Sequence, residues 1–552
     1  MRRAWTAVSV ALPVLAVGAE LKQKFTSGWR PTGDDAIFAI HAHDVFSAKS
    51  PLLGTYSVVT QSVGKPVPPV YHLGPMVSWA LAIPERWFSQ RMGLAVGAGL
   101  VNLAMLLAVV LLVRRIASAR TACFVSAALV MTVWSVGRNT LAEPWNPYIG
   151  LWALPLLVAL GVAWASCQET ASTLPALALV ASFAVQAQYL FLGPVAAVVA
   201  CALILRGSLP RGRPLIATGF VLCIAWLPAL AQQVVGSPGN LSSWWIVTTA
   251  STEHASSFGS FSLWFLVNTV GPIPVGLRGP LSTGQLMALG HSPSLLTWFV
   301  NGLLLVSLIT GAGCLWRTRR AVAVFAALAM ALSIGTAFTL SRYPVPLVSF
   351  PYYRIVMCWV VSTVVWGACL ACLLSLIPAT RWPRIAIVSA TRMYERFLLM
   401  PLMVVIALIV TGAQSPHEPV DALGARATQH LAAQTLRSLA RTGGYVVRGD
   451  GARGVFVVYG LFRELLLDGR RVYVRNDEVQ LRRDYGVGTR PAATIVVSSG
   501  SLTGPPGARI LASYDGRTTS ERKDFESLLL RDTNNERFAL QQAQFVVYLL
   551  PQ

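Results

Sequence analysis

Apolar runs of about twenty residues, each long enough to cross the hydrocarbon core of a bilayer, recur along residues 1–412 and exclude an ordinary soluble fold. They fall near 4–20, 92–113, 121–137, 148–166, 214–233, 295–316, 321–341, 353–377 and 396–412. A longer run, 174–206, is interrupted by Gln186-Ala187-Gln188-Tyr189 and by Gly193-Pro194, and reads as two spans meeting at the outer surface. The expected architecture is a polytopic α-helical membrane domain of about eleven transmembrane helices over residues 1–412. The charged fraction of 12%, against about a quarter in soluble domains, agrees.

A formal charge of +21 raises nucleic acid as a partner, but the arginines mostly sit in short clusters just past apolar runs. Arg2-Arg3, Arg114-Arg115 with Arg120, Arg206 with Arg211 and Arg213, Arg317 with Arg319-Arg320, and Arg381 with Arg384, Arg392 and Arg396 all fall on one side of the span count. That placement is topological, so no nucleic-acid partner is expected. It sets the N-terminus in the cytoplasm, and the loops 21–91, 138–147, 234–294 and 342–352, with everything after 413, outside it. The run from Met1 to Ala19 reads as a retained first span rather than a cleaved signal peptide. The loop 234–294, with Trp244-Trp245 and the Pro/Gly-rich Gly271–Pro280, reads either as an interfacial or capping segment or as a plain connector.

Past residue 413 charges of both signs become frequent, and 413–552 reads as an extracytoplasmic α/β domain. Asp421–Arg441 has helical spacing and ends at Gly443-Gly444. Strand-like stretches follow at 445–447, 454–458, 471–474, 493–497 and 544–549, with helical patterns at 460–467 and 520–531, which favours a parallel or mixed sheet. No P-loop and no GxGxxG fingerprint is read there, so a nucleotide site is not expected. The eight cysteines all lie in or beside apolar segments, and Cys369-Leu-Ala-Cys372 reads as packing rather than as a redox or zinc pair.

Carboxylates are scarce before 413, so their concentration in the first outer loop needs a reason. Asp34-Asp35 opens a helical pattern in which Ile37, His41 and Asp44 follow Asp34 on one face, with Asp35 turned about 100° away. The structural alternative for either aspartate is capping of that helix. His72, in Tyr71-His72-Leu73-Gly74-Pro75, is placed to orient a hydroxyl or a phosphate. Glu143, in the stiff Glu143-Pro144-Trp145-Asn146-Pro147 turn, is the acid of the second outer loop. Arg342 and Arg354, arginines on the nominally uncharged side, call for an anionic partner such as a lipid phosphate. Candidate catalytic residues are thus Asp34 and Asp35. Candidate substrate-binding residues are His41, Asp44, His72, Glu143, Trp145, Asn146, Gln188, Tyr189, Arg342 and Arg354. The His/Asp cluster could also hold a divalent cation, although sequence does not show convergent ligands and no metal site is assigned.

The acidic pair in the first outer loop, the acid in the second, the span count and the outer C-terminal domain resemble the GT-C superfamily of membrane glycosyltransferases. The wording His43-Asp44-Val-Phe-Ser, Pro51-Leu-Leu-Gly-Thr-Tyr56, Tyr71-His72-Leu-Gly-Pro75 and Glu143-Pro-Trp-Asn-Pro147 is similar to a group of actinobacterial members. The resemblance covers the membrane part. It implies a bacterial plasma-membrane enzyme of cell-envelope biosynthesis that transfers a sugar from a polyprenyl-phosphate carrier to an extracytoplasmic glycan, lipid or protein. The alternative class is a transporter or flippase for lipid-linked saccharides, for which ionisable groups within spans and repeated halves are expected signs.

Overall fold

The computed structural model describes the chain apart from residues 1, 58, 61–65, 89–91, 167–171, 251–254, 343–354, 377–405, 407–421, 452, 476–477, 479–480, 488–490, 492, 523–540 and 552. Among the described residues nine helices are long and apolar enough to cross a membrane: Arg3–Thr26, Gly93–Ile116, Ala119–Val136, Asn146–Ala165, Tyr189–Arg206, Arg213–Val235, Leu295–Leu315, Arg320–Ser341 and Met357–Leu376. The chain is a multi-pass membrane protein. The expected break in 174–206 is present, since the Thr173–Ala187 helix ends at Gln188 in extended backbone. The expected span at 396–412 lies outside the described residues, apart from Ile406.

The chain folds as two compact units. One comprises Met1–Leu21, Leu52–Val77 and Ala98–Pro416 and contains the body of the spans. Its helices touch through small residues and scattered polar groups, the usual glue where lipid removes most of the hydrophobic drive between helices. Gly193 and Gly335 let the Leu192–Arg206 and Arg320–Arg342 helices meet, because a Cβ on Gly335 would lie 2.5 Å from the Gly193 carbonyl oxygen. Asn102, wholly buried, donates to the carbonyls of Thr140 and Leu141 at 3.2 and 2.9 Å. Glu20 and Arg138 form a buried ion pair at 3.1 Å. The stretch 234–294 is more regular than the plain connector that is one of its two readings from sequence. It contains the helices Asn240–Ala250 and Ala255–Val270. Phe265 of the second is fully buried with its ring 5.8 Å from that of Trp359, and Ser362 Oγ donates to the Thr269 carbonyl at 2.8 Å.

The other unit comprises Lys22–Pro51, Ser78–Gly97 and His417–Gln552. Its sheet has five strands, β1 (Gly444–Asp450), β2 (Arg471–Tyr473), β3 (Ala493–Ser499), β4 (Arg509–Asp515) and β5 (Gln544–Pro551), in the order β2-β1-β3-β5-β4. β2, β1 and β3 are parallel, and β5 runs antiparallel to both β3 and β4. Two sequence expectations change here. Residues 454–458 are not a strand but the start of the Gly454–Leu467 helix, the crossover from β1 to β2. The β-branched Val-Phe-Val-Val run favours a strand locally, yet Val457, Val458, Leu461, Phe462 and Leu465 recur at helical spacing and bury one face in the sheet core. The exposed edge strand β4 was also absent from the sequence reading.

With that helix in place, the sequence Gly449-Asp450-Gly451-Ala452-Arg453-Gly454 leading into it is seen to have the GxGxxG spacing, which corrects the expectation that the domain lacks one. A strand at 454–458 hides the pattern, because the fingerprint requires a helix after its third glycine. Gly454 is fixed by packing: a Cβ there would lie 2.7 Å from the Val497 carbonyl oxygen of β3.

Within this unit Glu85 and Arg463, each 2% exposed, form an ion pair at 2.8 Å. Arg463→Met strands a buried carboxylate, and the expected loss is about 3–5 kcal/mol, read as a lower unfolding midpoint of the purified protein. Adding Glu85→Gln to the same chain is expected to restore much of it. A double variant no more stable than the single one would show that the pair carries little of that energy.

Candidate functional site

The Gly33–Asp44 helix carries the acidic pair and belongs to the α/β unit. Ile37 and Ile40 on it are wholly buried in the same core cluster as Val457, Leu461 and Phe462. Gly33 precedes the pair with φ +50, and a Cβ on it would meet the Phe456 side chain at 3.1 Å, so both conformation and contact favour glycine there. Asp34 is exposed and Asp35 half-buried, both in the first turn of the helix. The N-cap is Thr32, whose side chain makes no capping bond.

The three residues expected on one face have different surroundings. His41 and Asp44 are buried where Asp34 is exposed. Asp44 accepts a 2.8 Å hydrogen bond from the Tyr485 hydroxyl, and Lys49 Nζ sits 3.5 Å from the centre of the Tyr485 ring. Burial pushes the Asp44 carboxyl up against the opposing pull of that hydrogen bond. Next to it, His43 is raised chiefly by its interaction with Glu85. Glu85 was missed by the sequence reading, although it is the sole carboxylate between Asp44 and Glu143.

In the membrane unit the loop before the Met76–Trp87 helix is pinned to itself and to its neighbours. Gly54 N donates to the His72 carbonyl, His72 N to Thr55 and Ser57 N to Val70, at 3.1, 2.9 and 2.8 Å. Tyr71 exchanges hydrogen bonds with the Asn240 side chain at 2.9 and 3.0 Å, and its carbonyl also accepts from Trp244 Nε1 at 2.9 Å. The His72 ring lies 5.8 Å from that of Tyr189, which lies 4.4 Å from Trp244. Asn146 donates to Thr55 Oγ1 at 3.2 Å. His72, Asn146, Tyr189 and the loop carrying Thr55 are thereby brought together, with Gln188 next to Tyr189 in the chain.

His72, Asn146 and Gln188 are 6%, 5% and 4% exposed, yet His72 Nδ1, Asn146 Oδ1 and Gln188 Oε1 have no hydrogen-bond partner among the described residues. Buried polar atoms left in that state are costly, and in the same unit Asn102 Oδ1, Trp152 Nε1, Trp164 Nε1, Ser262 Oγ and Thr336 Oγ1 share it. Glu143 is also buried, and Trp145 packs edge-on against Tyr148 at 5.3 Å. Arg342 ends the Arg320–Arg342 helix, and Arg354 lies outside the described residues. Among the described residues no three His, Cys, Asp or Glu side chains are grouped to hold a metal ion, and Asp44 is already engaged by Tyr485.

No protein-family model matches the chain, and no curated protein sequence does. Among solved structures the chain is similar to the crystal structure of the Archaeoglobus fulgidus oligosaccharyltransferase in complex with Zn and sulfate. The similarity covers 90% of this chain and 68% of that one, at 13% sequence identity and a TM-score of 0.42.

Burial lowers the His72 imidazole from its ordinary 6.5 to about 3. Between those values the unfolded chain holds a proton that the folded chain does not, so stability is expected to fall as pH drops from 6.5 towards about 3. His72→Gln removes this linkage, and its unfolding midpoint should decline less steeply with acid than that of the unaltered protein. Equal slopes would mean that the imidazole is solvated.

Proposed function

We propose that this chain is an inverting glycosyltransferase of the GT-C type. It moves a sugar from a polyprenyl-phosphate donor to an extracytoplasmic glycan, lipid or protein acceptor at a bacterial plasma membrane. The observation that carries the reading is the acidic pair, held in the first turn of a helix whose other face is locked into a hydrophobic core. A carboxylate so held keeps its position without relying on a loose loop.

The chemistry asks for one base. A glycosidase needs a second carboxylate to protonate its leaving group, whereas a phosphate leaves as a stable anion and requires mainly charge neutralisation. Asp34 or Asp35 takes the proton of the acceptor hydroxyl as that oxygen attacks the anomeric carbon, and the polyprenyl phosphate departs from the opposite face. His72, neutral by burial, serves as a hydrogen-bonding group rather than as a cation. With Asn146 and Gln188 it supports orientation of a hydroxyl-bearing substrate, as do Glu143, Trp145 and Tyr189. Neutralisation of the phosphate is assigned to Arg342 and Arg354.

Purified protein supplied with a panel of radiolabelled polyprenyl-phosphate sugars is expected to form product with one of them. Asp34→Asn or Asp35→Asn should lower the rate by roughly 10²–10⁴-fold, the usual range for loss of a general base. Undiminished transfer in both variants would overturn the assignment of the base.

A further inference from the structure

A cavity of about 370 Å³ opens at the carboxyl ends of β1 and β2, under the turn that leads into the Gly454–Leu467 helix. That size is at the low end of ligand sites, which run from about 300 to 1,000 Å³. The glycine turn beside it has the spacing that in dinucleotide-binding folds presents a helix N-terminus to a pyrophosphate. Here that terminus is already engaged. The backbone N–H groups of Arg453 and Gly454 both donate to Ser499 Oγ at 3.1 Å, and Ser499 Oγ in turn donates to Gln542 Oε1 at 2.6 Å. Ser499 ends β3, whereas the cavity lies over β1 and β2.

The cavity offers a different anchor. Arg448 and Arg475 both line it, and Arg448 Nε is buried without a hydrogen-bond partner among the described residues. Leaving that donor unmatched is costly, and a carboxylate or phosphate is the acceptor a guanidinium fork fits best. Glu478, on the same wall, is held by the Tyr459 hydroxyl on one oxygen and by Leu481 N on the other, each at 2.7 Å. Asp450 contributes a second carboxylate at the rim, suited to sugar hydroxyls. Val455, Val458 and Phe462 give one apolar wall, against which the C–H face of a ring can lie.

We infer that this cavity binds a small anionic carbohydrate, a sugar bearing a carboxylate or a phosphate, with its acid group on Arg448 and Arg475. The inference stands independently of glycosyl transfer, because binding is measured without turnover. The test is equilibrium binding of glucuronate, glucose 6-phosphate, glucose and NAD⁺ to the full-length protein in detergent. At least one anionic sugar is expected to bind roughly tenfold or more tightly than glucose. Binding of glucuronate alone identifies the carboxylate and binding of glucose 6-phosphate alone the phosphate, and each outcome supports the site. Arg448→Gln and, at the exposed position, Arg475→Gln should each weaken that binding by roughly tenfold or more, with Arg509→Gln on the edge strand as an unaffected control. Anionic sugars that bind no better than glucose, binding that survives both substitutions, or NAD⁺ binding more tightly than either sugar would overturn it.

Discussion

Ile37 and Ile40 are each wholly buried in the core of the α/β unit, against the helix that crosses from β1 to β2. Each such burial is worth about 1.5–3 kcal/mol, so the pair strongly resists rotation of the Gly33–Asp44 helix about its axis. Asp34 and Asp35 inherit their directions from that choice. A shift of one residue would turn them by about 100° and would exchange the buried isoleucines for polar side chains. The position of the acids is therefore a consequence of apolar packing beneath them, with Gly33 supplying the entry that a side chain would obstruct.

The membrane unit solves a different problem. Its polar groups are few, and most are tied to backbone: Asn102 to two carbonyls, Ser135 to the Val275 carbonyl, Ser362 to that of Thr269. Beside these, His72 Nδ1, Asn146 Oδ1 and Gln188 Oε1 are buried without a hydrogen-bond partner among the described residues, as is Asn102 Oδ1. A neutral imidazole in such a place can donate and accept, which suits a ligand rich in hydroxyls.

The spans could be read from sequence because twenty apolar residues admit few other fates, and the break at Gln188 was visible as polar residues inside an apolar run. The C-terminal sheet was legible in β1 and β3, whose runs Tyr445–Val447 and Ile495–Val497 are buried without a break. Residues 454–458 were misread because local β-propensity and helical periodicity conflict there, and only the tertiary core decides between them. That error concealed the glycine turn as well. Ala255–Val270 looked like loop because its Ser, Gly and Asn residues dilute the apolar signal that packing against Trp359 supplies. Glu85 was passed over because nothing in a linear pattern ties it to Arg463, which lies 378 positions away.

That separation bears on how the protein is made. The α/β unit takes its parts from residues 22–51, from 78–97 and from beyond 417, so its earliest segments are synthesised long before the sheet on which they pack. Contacts between residues so distant in the chain form late. A nascent chain that has not reached residue 417 has no core in which to seat Ile37 and Ile40, and the helix that orients the aspartates lacks its support. The acidic pair is set in its final position only after the Gly454–Leu467 helix has been made, so a chain that stops short of it is an unarmed one.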